Sequence, residues 1–292
     1  HFFGCHATLF NDHGCGYPVF GQVNHKLGAL RSIMPSEEVL KWLQKTGFPL
    51  EMEAAAAFRR VGFDVRQSFT FPDPQSDKGR EIDVLAQDPD FFGVIEISFV
   101  LECKSSPNPW VVLVSDDAFS NYNRLHAFAV TSGAARSALT SRILNLGGLK
   151  PYLERSSRGG YSFRQAFGKE SDPAYSAAMG ALKASAGVAQ DRESSTVPRL
   201  AFAFPVVVVN SPLFECSLRD DGTLELMEVE QSEFLMSAYV PDAIGCSVRV
   251  IKKSRLDEFA RWARQVAYAI RTELDAEQEK YFPTKGGGSG GA

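Results

Sequence analysis

Alternating apolar and polar residues mark a group of strands in the first half of the chain. The pattern predicts strands at about 63–72, 80–87 and 94–104, and a short one at 110–114. Upstream, Ser36 as a cap with acids in the first turn predicts a helix over about 36–45. Apolar positions three and four residues apart predict a second helix over about 49–61, which ends near Gly62. A helix that leads into consecutive strands indicates an α/β fold.

The second half combines further strands with a long closing helix. Strands are predicted at 201–209, 213–218, 224–230 and 247–251. Asp221-Gly222 is typical of a hairpin turn, and apolar positions at helical spacing predict a helix from Leu256 to about Leu274. Helical segments are also expected at about 116–130 and 173–190, with 131–172 partly loop because it is rich in Ser, Gly and Arg.

Composition places the chain among ordinary globular proteins. It is 44% hydrophobic and 23% charged with a net charge of −4, so no general basic field would hold nucleic acid non-specifically. No apolar run approaches the roughly 20 residues of a membrane span, and no secretory signal is evident. The five cysteines are odd in number and follow no framework spacing, which favours a reducing cytoplasm.

Both ends of the chain differ from the rest. Residues 1–35 lack sustained periodicity and are interpreted as an N-terminal arm or an upstream translated segment. Residues 283–292 resemble a flexible linker. We therefore predict a single domain over 36–282, with an insertion of helical material around 131–195.

Asp83 and the sequence Glu102-Cys103-Lys104 are the strongest candidates for chemistry. Each lies in a predicted strand, and alternation puts Glu102 and Lys104 on one face and Cys103 on the other. If the two strands pair, Asp83 stands beside Glu102. Two clustered carboxylates favour a divalent cation with hard oxygen ligands such as Mg²⁺, with Mn²⁺ as the alternative. A neighbouring lysine can orient or deprotonate a water.

Glu51 is a fourth candidate. It falls on the apolar stripe of the predicted helix, three and four residues before Ala54 and Ala55. A carboxylate on a core-facing stripe needs a partner, so Glu51 is a further candidate ligand for a metal or a water. The alternative is an acid near the helix N-terminus, where the helix dipole favours negative charge.

Together these residues resemble the PD-(D/E)xK nuclease superfamily, and the Mrr-like branch of restriction-endonuclease-like proteins in particular. The resemblance lies in an acid on a helix (Glu51), an aspartate in one strand (Asp83) and an acid-x-lysine in the next (Glu102 and Lys104). Gly47-Phe48-Pro49-Leu50-Glu51 and the later Gly62 also match that branch. The matching motifs cover about residues 47–114, and Ile82 stands where the family name places proline.

The resemblance implies a three-layer α/β/α sandwich with a central mixed sheet and Mg²⁺-dependent hydrolysis of phosphodiesters. Asp83 and Glu102 would hold the metal, Glu51 would assist, and Lys104 would serve the attacking water with a lowered pKa. The expected partner is nucleic acid, DNA in the first instance, in bacterial defence or DNA repair. The chain is also expected to form a homodimer or to bind a protein partner.

Two other interpretations stay open. The chain could keep the nuclease fold with weak or no catalysis and act as a module that binds protein or nucleic acid. Alternatively, Glu102 and Lys104 could form a cross-strand ion pair in an unrelated α/β domain, with Asp83 far away.

Overall fold

The computed structural model describes residues 36–73, 79–120, 122, 124–142, 145, 147–154, 156–168, 172–190, 199–240 and 242–280. The chain divides into two units, residues 1–40 and 41–292, and the first is described only where helix α1 (Ser36–Leu43) begins. The predicted arm (1–35) and tail (283–292) lie outside the described residues. The predicted domain boundaries therefore stay predictions.

One mixed sheet of eleven strands organises the described part of the second unit. Its strands are β1 (Asp64–Pro72), β2 (Gly79–Gln87), β3 (Ile95–Lys104), β4 (Trp110–Ser115), β5 (Val130–Thr131), β6 (Gly159–Gln165), β7 (Leu200–Val209), β8 (Leu213–Leu218), β9 (Leu224–Val229), β10 (Gln231–Val240) and β11 (Asp242–Lys252). Their order is β1-β2-β3-β7-β11-β10-β6-β4-β8-β9, and β5 pairs with β7 beside this path. The pairs β3–β7, β7–β11, β10–β6 and β4–β8 are parallel. The α/β class and the mixed sheet predicted from the sequence are confirmed.

Helices cover both faces of this sheet. They are α2 (Phe48–Arg60), α3 (Arg124–Phe128), α4 (Gly133–Ser141), α5 (Lys150–Leu153), α6 (Pro173–Ala189) and α7 (Leu256–Glu279), with a 3₁₀ turn at Lys253–Arg255. The apolar residues of α2 and α7 join one buried cluster, whereas those of α6 join the clusters on the opposite face. None of the described helices is long and apolar enough to span a membrane.

Strand β7 shows how the sequence produces this arrangement. All ten of its residues are buried, as expected for a strand covered on both faces. Phe204 and Val206 pack against the α2 and α7 side, while Ala203 and Val207 pack against α6. On one side of β7, strand β5 pairs with its first half and strand β11 with its second half, and Pro205 lies in the gap between them. Proline has no backbone N–H to donate, and at this gap no described strand needs one.

The region between 116 and 195 differs most from the prediction. The predicted helix over 116–130 is wrong in its first part, because residues 116–120 form turns. The backbone N–H of Phe119 donates a hydrogen bond of 2.8 Å to the Ser157 carbonyl, and helix α3 covers only Arg124–Phe128. The expected helical insertion contains α4, α5 and α6. It also contains β6, which lies inside the sheet between β10 and β4. This region is therefore part of the main sheet.

The sequence-based prediction also missed β10 and the first half of β11. These strands pair along their whole length, from Gln231 with Ile251 to Val240 with Asp242. The predicted hairpin at Asp221-Gly222 is present between β8 and β9, and Gly222 has a φ of 81°, which glycine adopts without strain.

Candidate functional site

The pairing of β2 with β3 brings the two acidic strands together. The ladder between these strands ends at Val84 and Leu101, the residues next to Asp83 and Glu102. Asp83 Oδ2 accepts a hydrogen bond of 2.7 Å from the backbone N–H of Cys103. Asp83 is therefore fixed to the strand that carries the acid-x-lysine, and the alternative in which it lies far from Glu102 is excluded.

The backbone is irregular where Asp83 lies. Ser68, across from it on β1, has a φ of 50°, which is uncommon for a residue other than glycine. Ile82 packs in the cluster under α6, whereas Val84 packs in the cluster under α2 and α7. Two residues of one strand two positions apart normally share a face. The strand thus rotates at Asp83, which directs its side chain along the sheet toward the backbone of Cys103.

Lys104 lies between the two carboxylates. Its Nζ is 2.9 Å from Glu102 Oε2 and 3.5 Å from Asp83 Oδ2. Glu102 and Lys104 therefore project to the same side, as alternation along β3 predicts, and Cys103 packs in the apolar cluster on the other side. We refer to Glu51, Asp83, Glu102 and Lys104 as the acid–lysine cluster.

Helix α6 forms a wall beside Glu102. A Cβ atom built on Gly180 would lie 3.1 Å from Glu102 Oε1 and 3.3 Å from its Cδ, which is tighter than ordinary contact. The missing side chain at this position lets the helix backbone approach the carboxylate. Glu102 is 8% exposed as a result of this cover and its place in the sheet.

The pKa values of Glu51 and Glu102 are both raised. The pKa of Glu102 is raised to about 7, first by burial and then by the charge of Asp83, and Lys104 offsets only part of this. The pKa of Glu51 is also raised, first by burial and then by the charges of Asp83 and Glu81. The acids are close enough to oppose one another's ionisation, and one lysine does not compensate them.

The pKa of Lys104 is raised as well. Burial lowers it, but the charges of Glu102 and Asp83 and the hydrogen bonds to both carboxylates together outweigh burial. Lys104 is therefore an ammonium that donates to both carboxylates. The lowered pKa predicted from the sequence presumes a bound divalent cation and stays a prediction. The Cys103 thiol has a pKa well above its usual value, chiefly because it is buried, so it is not a nucleophile at neutral pH.

Helix α2 supplies Glu51 from its first turn. Its side chain is half-buried, and a Cβ on Gly47 would lie 3.4 Å from Glu51 Oε1. The neighbouring acid on this helix, Glu53, points elsewhere and pairs with Lys253 at 2.7 Å. Glu51 is therefore part of the acid–lysine cluster because it interacts electrostatically with Asp83 and Lys104. Glu53 forms a surface ion pair instead.

Sequence reasoning missed three residues near the cluster. Glu81, an exposed acid two positions before Asp83, adds to the negative charge that Glu51 experiences. The Glu-x-Asp spacing on a strand could have revealed it. Gly180 and Ser68 carry no local signal, because their importance comes from residues that are far away in sequence.

The donor chemistry fits a hard divalent cation. Among the described residues no three His, Cys, Asp or Glu side chains converge into a complete metal site. Mg²⁺, however, is commonly held by one or two protein carboxylates, with waters and substrate phosphate completing its shell. Asp83 and Glu102 provide such a pair, and a bound cation would supply the positive charge that Glu102 lacks.

The fold and the site together define an α/β protein with a large mixed sheet and an acid–lysine cluster at the carboxyl end of a central strand. No protein-family model, curated protein or solved structure matches the chain.

Proposed function

We propose that this protein is a metal-dependent phosphodiesterase that hydrolyses nucleic acid, with DNA as the substrate. The observation that carries the proposal is the convergence of Asp83, Glu102 and Lys104, with Lys104 Nζ 2.9 Å and 3.5 Å from the two carboxylates. Two acids and a lysine in this arrangement suit metal-assisted attack of water on a phosphate.

Each residue of the cluster has a distinct role in this proposal. Asp83 and Glu102 would hold the cation, with Mg²⁺ preferred and Mn²⁺ as a substitute, and Glu51 would assist from α2. The cation would neutralise the negative charge of the phosphate, which otherwise repels the attacking nucleophile. Lys104, which lies beside both carboxylates, would serve the attacking water, and its pKa would fall where a cation offsets the charge of those carboxylates.

The order of elements supports the same proposal. Helix α2 bears one acid, β2 bears the second, and β3 bears the acid and the lysine, which is the order of the PD-(D/E)xK motifs. Helices on both faces of the sheet are compatible with the three-layer α/β/α sandwich of restriction-endonuclease-like proteins. A role in bacterial defence or DNA repair is part of the proposal.

A net charge of −4 indicates how the substrate would be held. A chain without a basic field does not coat duplex DNA, so its contacts with phosphates must be concentrated around the site. Target selection is accordingly weak or supplied by a protein partner or a second copy of the chain.

One observation favours a second candidate function, a nuclease-like module that binds without cleaving. The Lys104 ammonium contacts both carboxylates, so it can act as an internal cation in place of a metal. In such a module Asp83 and Glu102 would not take up Mg²⁺. Metal binding therefore separates the two candidates.

The test combines cleavage with metal titration. Purified protein is incubated with plasmid, linear duplex, single-stranded DNA and RNA in Mg²⁺, Mn²⁺ or EDTA, and Mn²⁺ binding is followed by calorimetry. We expect cleavage with either ion, none in EDTA, and a loss of at least roughly 100-fold in Lys104→Ala and Asp83→Asn. Lys150→Ala is the matched control, because Lys150 is an exposed lysine whose ion pair in the described part of the chain is with Glu154 at 3.6 Å.

Two results would overturn the proposal. If Lys104→Ala cleaves as fast as the wild type, the acid–lysine cluster does not carry the activity. If the wild type neither binds Mn²⁺ nor cleaves any of the four substrates, the binding module is the better description.

A further inference from the structure

Two polar loops leave the sheet beside Lys104. Strand β3 ends at Lys104 and continues into residues 105–109, and the parallel strand β7 ends at Val209 and continues into residues 210–212. Lys104 and Val209 are register partners, so the loops emerge side by side. Ligands of open α/β sheets bind outside the carboxyl ends of parallel strands, which is where these loops lie.

The two loops are fixed to one another and to the site. The backbone N–H of Asn210 donates to the Lys104 carbonyl at 3.2 Å, and the Ser211 hydroxyl donates to the Ser106 carbonyl. At their far ends Trp110 N donates to Pro212 O at 2.9 Å. Bonds at both ends make the loops a preformed border of the acid–lysine cluster.

Two side chains of this border are free to donate to a ligand. Ser105 and Asn210 are exposed, and neither side chain hydrogen-bonds to another group in the described part of the chain. Their neighbours Ser106 and Ser211 are both engaged within the border. Ser105 follows Lys104 directly, and the Asn210 backbone is bonded to the Lys104 carbonyl, so both residues are adjacent to Lys104 along the backbone of the border.

We infer that Ser105 and Asn210 together bind a backbone phosphate of the nucleic acid, beside the phosphate that is cleaved. The inference rests on the proposed function. Hydroxyl and amide groups donate hydrogen bonds to phosphate oxygens, and such contacts fix the position of a nucleic acid without reading its sequence. Because both side chains are neutral, they release no counterions and hold the phosphate through hydrogen bonds alone.

Neutral donors give the inference a specific signature. Ser105→Ala and Asn210→Ala should each weaken nucleic-acid binding by roughly tenfold, equally for unrelated sequences. The slope of log affinity against log salt should stay as in the wild type, whereas removal of a lysine that contacts phosphate would make it less steep. KM should rise while kcat changes little, because the substitutions leave Asp83, Glu102 and Lys104 in place.

Binding is measured by fluorescence anisotropy with labelled oligonucleotides in Asp83→Asn protein, and turnover in the full chain with Mg²⁺. Asn145→Ala and Ser120→Ala are matched controls, since both residues are exposed and lie on other connections. Asn210→Asp separates a lost contact from a folding defect, because aspartate has nearly the size of asparagine. Its carboxylate would repel the phosphate, so binding should weaken further than in Asn210→Ala.

The outcomes separate the two proposals. If the wild type cleaves but Asn210→Asp and the Ser105→Ala/Asn210→Ala double variant bind as well as the controls, the inference is overturned and the proposed function stands. If the wild type shows neither binding nor cleavage, the proposed function fails and the inference fails with it.

Discussion

Glu102→Gln should remove the pH dependence that this carboxylate imposes on folding. Its side chain is 11% exposed, and its pKa is raised from 4.5 to about 7 by burial and then by the charge of Asp83. The folded protein thus holds the proton more tightly than the unfolded chain does. The stability that this group contributes is fully present below its unfolded pKa, and it is lost as the pH rises through its folded pKa.

The size of the effect follows from the two pKa values. The interval from 4.5 to about 7 corresponds to about 3 kcal/mol of unfolding free energy above the folded pKa. Glutamine has no proton to lose and can still accept from Lys104. In EDTA, Glu102→Gln should therefore be more stable than the wild type by up to about 3 kcal/mol at about pH 8, and nearly equal to it at about pH 4.

Urea unfolding followed by tryptophan fluorescence across this pH range measures the difference directly. Glu154→Gln is the control, because the side chain of Glu154 is 55% exposed. Added Mg²⁺ should stabilise the wild type at high pH and narrow the gap to Glu102→Gln. Parallel pH curves for the wild type and Glu102→Gln would show that Glu102 ionises normally in the fold and would refute the electrostatic argument.

Two glycine substitutions should have opposite effects on stability. Gly180→Ala should leave the melting temperature unchanged or raise it, since alanine favours the helix. The added Cβ, 3.1 Å from Glu102 Oε1, should displace the carboxylate. Cleavage and Mn²⁺ affinity should therefore fall on the order of tenfold. Unaltered Mn²⁺ affinity in calorimetry would argue against this positioning role. Gly160→Ala should cost about 1–3 kcal/mol of unfolding free energy, because its Cβ would lie 2.5 Å from Phe234 Cβ and 2.7 Å from the Glu233 carbonyl. Gly147→Ala, where a Cβ meets nothing within 4 Å, is the control, and equal denaturation midpoints for the two would contradict the packing argument.

The sequence predicted the parts of the site that depend on local periodicity. Alternation along β3 is sufficient to place Glu102 and Lys104 on one side, and a short connection from β2 makes the antiparallel pair the expected arrangement. The proximity of Asp83 to Glu102 follows from that pairing. These inferences needed only neighbouring strands.

Features that depend on distant contacts were not predictable in the same way. Strand β6 buries only Gly160 and Phe163, so it has almost no apolar alternation, and its glycine is required by Phe234 on a strand far along the chain. Gly180 is likewise meaningful only because α6 crosses Glu102. The raised pKa values of Glu51 and Glu102 depend on burial, which the sequence pattern indicates only in part.

The balance of charge distinguishes the acid–lysine cluster from a structural ion pair. By contrast, the buried carboxylate of Asp88 at the end of β2 contacts both Arg264 and Arg271 of α7. In the cluster a single lysine faces several acids, and the pKa of Glu102 is raised to about 7 in consequence. Buried charge that is left under-compensated weakens a fold, so it persists where something other than stability benefits from it. A cation from solution would complete the balance, and for this reason metal titration of Glu102 and its glutamine variant is the most direct test of what the cluster is for.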